Sequence, residues 1–156
     1  MRGVVRAGGG ACQAVPAGQP APDISTEAAL QAAVLAASTL GVSTGPSGVQ
    51  LAKLFEAWGI AEQIKDRIVQ AKPGVPVGAL VAQGRVALGF QQLSEMQGVA
   101  GITVLGPLPE AVQITTTFSG SVASTSRAPQ AVRALLAFWA SPACSPIKVR
   151  QGMAAA

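Results

Sequence analysis

The stretch Val42-Ser43-Thr44-Gly45-Pro46-Ser47-Gly48-Val49 constrains the fold of this chain more than any other. A β-like run over residues 38–43 stops at a turn, and an amphipathic helix begins at once. Leu51, Leu54, Phe55 and Trp58 fall at i, i+3, i+4 and i+7, one core-facing stripe, and Gly59 suits the position just past the helix end. A strand that hands directly into such a helix is the building unit of an α/β sheet with helices on its faces. The same junction aims unpaired backbone N–H groups and the positive end of a helix at one point, which suits an anion without any basic side chain. Pro46 fits the first helical turn, where its missing N–H costs nothing. Gly45 and Gly48 allow a ligand close to the backbone. The hydroxyls of Thr44 and Ser47 have two uses open to them: donating to an anion, or capping their own helix. No Lys follows Gly48, so the turn is not a nucleotide P-loop.

Similar units continue along the chain. Residues 7–22 are rich in Gly, Pro and Ala and read as a flexible linker. Ser25 or Thr26 offers an N-cap for a helix to about Ala37 that buries Leu30 and Val34. Residues 61–67 predict a short helix and 68–71 a strand. Pro73-Gly74 is a turn, and Pro76 opens a helix over 77–83 closed by Gly84. Strands are expected at 86–90, at 102–105 and within 113–123. A helix from Pro129 carries Val132, Leu135, Leu136 and Trp139 in a second core stripe, and a last helix fades near Gly152. Ligands of α/β sheets bind at the carboxyl ends of strands. A second polar turn sits at such an end, after the 86–90 strand. Its Gln91, Gln92 and Ser94 suit a hydrogen-bonding shell around a ligand, or the cap of the next helix.

Composition excludes several functions. The 156 residues hold no histidine, which removes histidine-based triads and imidazole metal ligands. The seven acids show no catalytic or metal-binding spacing; Glu95, beside the second polar turn, is the one to watch. No catalytic residue, metal site or cofactor is expected. Eleven bases are scattered singly, the net charge is +4 and aromatics make up 4%, a poor match to nucleic-acid binding. Cys12 and Cys144, far apart in sequence, allow a single disulfide but read more readily as two unrelated thiols. No apolar run is long enough to cross a bilayer, and residues 1–8 lack the apolar core of a secretory signal.

Several segments taken in order resemble bacterial extracellular solute-binding proteins of the molybdate-binding type. They are residues 22–26 (Pro22-Asp23-Ile24-Ser25-Thr26), 43–49, 51–60, 68–70, 74–78, 87–95 (Ala87 to Glu95), 106–109, 134–138 and Ser141-Pro142. The resemblance covers roughly residues 20–155. It implies a type II periplasmic-binding-protein fold, in which two α/β lobes close on a ligand, and a protein that delivers a small oxyanion such as molybdate or tungstate to an ABC-type membrane permease. It implies a periplasmic or extracellular location, and a ligand held by hydroxyls and helix-start amides. The site so expected comprises Thr44, Gly45, Ser47, Gly48, Gln91, Gln92 and Ser94. Relative to the family, residues 1–22 read as the end of a first-lobe strand plus a linker. Residues 23–156 read as the second lobe with a return crossover near 113–123. An incomplete first lobe would expose apolar surface and favour a homodimer. An effector or interaction module and a non-functional remnant of the same fold are the alternative readings.

Overall fold

The computed structural model describes residues 5–155. Residues 1–4, read from sequence as part of a strand, lie outside them. The chain order is β1 (Val5–Pro16), α1 (Glu27–Ala36), β2 (Leu40–Val42), α2 (Pro46–Ala57), α3 (Ala61–Ile64), β3 (Ile68–Gln70), α4 (Val77–Ala82), β4 (Leu88–Gln92), α5 (Leu93–Met96), β5 (Ile102–Pro107), β6 (Thr115–Gly120), α6 (Pro129–Ala140), α7 (Ser145–Arg150) and β7 (Met153–Ala155). The main sheet runs β3-β2-β4-β1-β5. Its β3, β2 and β4 are parallel, whereas β1 is antiparallel to β4 and β5. The result is a mixed sheet flanked by helices.

β1 carries the fold across two sheets. Its second half, from Ala11, pairs with β4 and β5; its first half, Val5–Gly10, pairs with β6 and β7. This corrects the linker expected over 7–22: only residues 17–26 connect without regular structure. The Gly and Ala content that signals a loop is here a requirement of the junction. A Cβ on Gly9 would lie 2.8 Å from Gln92 Oε1 and 3.3 Å from the Phe118 ring, so only a bare backbone lets both side chains cross above it.

Two apolar clusters cover the two faces of the main sheet. Leu30 and Val34 of α1 and Leu51 and Phe55 of α2 pack with Leu40, Leu88, Phe90 and Val15. On the other face Val77, Leu80 and Val81 of α4 and Met96 of α5 pack with Cys12, Ala14 and Val86. Alternation along a strand explains the division. Leu88 and Phe90 face one way, and Gly89 the other, toward α4. A Cβ on Gly89 would strike Val81 and would lie 2.9 Å from Val77 Cγ1; one on Gly41 would lie 2.7 Å from Val86 Cγ1. Both glycines let α4 lie tight on the sheet. The remaining helices are tied by specific groups. Thr26 Oγ1 accepts from Ala29 N at 3.1 Å and starts α1, which decides between the two caps, Ser25 and Thr26, that the sequence offers. The Arg67 guanidinium donates to the carbonyls of Leu35 and Ala37 at its other end, at 2.8 and 2.6 Å.

One core side chain breaks the pattern. Gln13 is fully buried on the face shared with Ala11 and Val15, and neither its Oε1 nor its Nε2 has a hydrogen-bond partner. A buried orphan amide loses its hydration without return. Gln13→Met, near-isosteric and apolar, is therefore expected to raise stability by about 1–2 kcal/mol. A urea titration with an unchanged slope and a higher midpoint checks this.

The helix from Pro129 forms as expected, yet its stripe is not core. Leu136 is buried, but Leu135, Phe138 and Trp139 of α6 and Ile147 and Val149 of α7 are exposed. Periodicity reveals an apolar face and says nothing of what covers it. The small β6-β1-β7 sheet takes up Leu136 alone, against Gly120, where a Cβ would lie 2.9 Å from Leu136 Cδ2. Of these exposed groups Phe138, Trp139 and Ile147, together with Phe118, border an apolar hollow of about 450 Å³. Cys12 and Cys144 are both buried and free, and burial pushes the Cys12 thiol up to about 12, so it stays protonated and unreactive near neutrality. No helix among the described residues is long and apolar enough to cross a membrane.

Candidate functional site

The carboxyl ends of β2 and β4 open onto a cavity of about 470 Å³. Its wall is built from three directions. The turn Ser43 to Ser47 brings in the start of α2; Lys72 to Pro76 leads into α4; and Gln91 and Gln92, with Glu95 just beyond, come from β4 and α5. Thr116 and Phe118 of β6 complete it.

The α2 start resolves the choice left open by sequence. Gly45 is the N-cap in an extended conformation, and no side chain caps the helix. Thr44 and Ser47 are thus not spent on the helix end. Ser47 Oγ lies 3.4 Å from Ser43 Oγ, and Thr44 is exposed at the cavity edge. Pro46 has no N–H, so the first free amides of α2 belong to Ser47 and Gly48. A twelve-residue helix sets its positive end there.

Structure separates the expected site residues. Thr44, Gly45, Ser47, Gln91 and Gln92 line one cavity. Gly48 and Ser94 do not. The open side of Gly48 faces the Ser43 carbonyl, where a Cβ would collide with the oxygen and lie 2.9 Å from the carbon. Its missing side chain serves the packing of α2 on the end of β2. Ser94 lies in α5, outside the lining. The second polar turn is also not a turn. β4 continues through Gln92, and both glutamines are buried strand residues. Sequence alone ends the strand at Phe90 because polar side chains usually mark its exit. Here they stay because each has a partner inside. Gln91 shares the Gly89 face, and its Oε1 accepts from Val77 N at 2.7 Å and Gly78 N at 3.4 Å, capping α4. Gln92 points to the other face, and its Nε2 donates to Thr116 Oγ1 at 2.6 Å.

Sequence reasoning missed Lys72, Thr116 and Phe118. Lys72 and Phe118 carry no local motif, and Thr116 sits in a threonine run that reads as strand alone. Glu95 does border the cavity, exposed, and so does Lys72. The wall therefore combines neutral donors with one base and one acid. No group of His, Cys, Asp and Glu able to hold a metal occurs among the described residues.

Residues 2–154 match the family described as bacterial extracellular solute-binding protein. The chain belongs to that family. This solute-binding protein is 40% identical over 132 residues to a Pseudomonas sp. protein named aconitate isomerase; the match covers 82% of this chain and 49% of the relative. The chain thus spans about half the length of that relative. Its fold is shared with the substrate-binding domain of a molybdenum ABC transporter from Clostridium difficile, at a TM-score of 0.73 and 18% identity, covering 100% of this chain and 66% of that one. It is shared also with the periplasmic molybdate-binding protein of Azotobacter vinelandii, at 0.67 and 19%, covering 96% and 67%. At such identities the likeness establishes a periplasmic-binding-protein fold, as the sequence resemblance implies. The family supports a small-molecule binding role for the solute-binding protein.

Proposed function

We propose that this chain binds a small polyanion in the cavity at the α2 start, with a di- or tricarboxylate of the aconitate type as the first candidate and a tetrahedral oxyanion such as molybdate or tungstate as the second. The uncapped start of α2 carries the reading. No side chain caps it, and Ser43, Thr44, Gly45 and Ser47 at that start line one open cavity. Two observations favour the carboxylate. The relative that is 40% identical is named for aconitate, whereas the molybdate-binding neighbours share fold at 18–19% identity. A cavity near 470 Å³ also exceeds what a compact tetrahedral ion fills, and Lys72 offers a charge for a further carboxylate.

In this reading the main sheet and its helices form one lobe, and the first half of β1 with β6, β7, α6 and α7 belongs to the base of the other. The crossing of β1 between two sheets supports that division. A loaded protein outside the cytoplasm would hand its ligand to an ABC-type permease. The exposed α6–α7 face would pair with a second copy wherever nothing else covers it.

Titration calorimetry with cis-aconitate, trans-aconitate, citrate, molybdate, tungstate and sulfate tests the proposal. Saturable heat is expected with the tricarboxylates and less with the tetrahedral ions. Folded protein that gives no heat with any of them ends it. A second reading, isomerisation of the bound carboxylate, is favoured by Glu95, an acid on the cavity wall able to accept and return a proton. Proton NMR of cis-aconitate incubated with the protein distinguishes the two, since binding alone leaves the spectrum of the pool unchanged.

A further inference from the structure

Gln92 is nine-tenths or more buried at the cavity wall, yet it makes one hydrogen bond. Its Nε2 donates to Thr116 Oγ1 at 2.6 Å, and its Oε1 is buried without a partner above Gly9. Turning the amide round would keep the contact with Thr116 but strand the N–H instead of the carbonyl, and orphaned buried N–H groups are the rarer case. The arrangement has a directional consequence. A threonine oxygen that accepts from an amide has its own hydrogen free to donate elsewhere. Thr116 is half-buried and lines the cavity. It arrives on β6, in the small sheet, whereas the α2 start arrives from the main sheet.

We infer that Thr116 is a ligand-contacting donor supplied by β6, and that Gln92 is its positioning residue, holding the hydroxyl so that its hydrogen faces an ionised oxygen in the cavity. The inference rests on the polyanion reading and deepens it. An oxygen lying between the α2 amides and Thr116 is held from both sheets at once. The hydroxyl hydrogen then suits an acceptor oxygen, such as that of a carboxylate or oxyanion.

The test is calorimetric titration of the 156-residue chain with trans-aconitate, comparing wild type with Thr116→Ser, Thr116→Val, Gln92→Met and the Gln92→Met/Thr116→Val double variant. Thr116→Val keeps the shape and removes the hydroxyl, and is expected to weaken binding by about tenfold. Thr116→Ser is expected to stay within roughly threefold of wild type. Gln92→Met is expected to weaken binding by about threefold to tenfold where Thr116 is present and to add nothing in the Thr116→Val background. Thr116 is half-exposed, so the valine variant folds, and thermal melts verify it. Wild-type affinity in Thr116→Val, or a loss in Thr116→Ser equal to that in Thr116→Val, overturns the contact and leaves the polyanion reading standing. Losses that add in the double variant overturn the positioning role. Absence of saturable binding by the wild-type chain overturns the polyanion reading itself, and this inference with it.

Discussion

Gly48→Ala is expected to lower stability by about 3 kcal/mol and to weaken anion binding more than tenfold. The added methyl group meets the Ser43 carbonyl oxygen and carbon, both backbone atoms at the end of the short, buried β2. A flexible side chain could swing away; a strand end cannot. Overpacking against unyielding atoms costs about 1–3 kcal/mol and sometimes more, and this clash belongs at the upper end. The relief available is for α2 to back away from β2, which shifts the helix start, with Ser47, relative to the cavity it lines. Calorimetric melting should show a midpoint lower by roughly 6–12 °C, and titration with the same anions should show the lost affinity. A Gly48→Ala protein as stable as its parent would mean that the turn is far softer than its packing indicates.

Phe55→Ala is expected to be more damaging still to the fold, by about 3–5 kcal/mol. Phe55 is 2% exposed and sits on the inner face of α2. Its ring lies edge-on to Phe90 at 6.2 Å between centroids, and tilted against Trp58 at 6.0 Å. Removing it leaves a cavity between α2 and β4, which supply Ser47, Gln91 and Gln92 to the proposed site, and forfeits the aromatic pairing as well. Chemical denaturation followed by Trp58 and Trp139 fluorescence measures the loss. Leu54→Ala on the same helix, half-buried, should cost clearly less, which separates loss of core volume from loss of helix.

These two substitutions also divide what sequence can and cannot reveal about a site. The stripe Leu51, Leu54, Phe55, Trp58 is periodic, so the face on which α2 packs is legible from the chain alone. Gly48 is legible as a permissive residue, but not as one that faces its own strand end. That depends on how closely α2 approaches Ser43, a distance no local pattern encodes. Gln91 and Gln92 show the same limit. Polarity at the end of an apolar run reads as an exit from the sheet, and only the α4 start and Thr116, both distant in sequence, make those amides affordable inside it.

The residues by themselves determined most of the alternation of strands and helices from residue 25 onward, the start of α1 at Ser25 or Thr26, the breaks at Gly59, Gly74 and Gly84, and the strand-to-helix junction at residues 43–47, because capping, turn chemistry and periodicity act over a few residues. Tertiary structure alone decided that the glycine-rich start is a strand shared by two sheets, that the α6 stripe stays exposed, and that Thr116 and Lys72 join Ser47 and Gln92 around one cavity. Those outcomes depend on which surfaces meet across long stretches of chain, and burial, unlike helical propensity, belongs to the pair of surfaces and not to either segment.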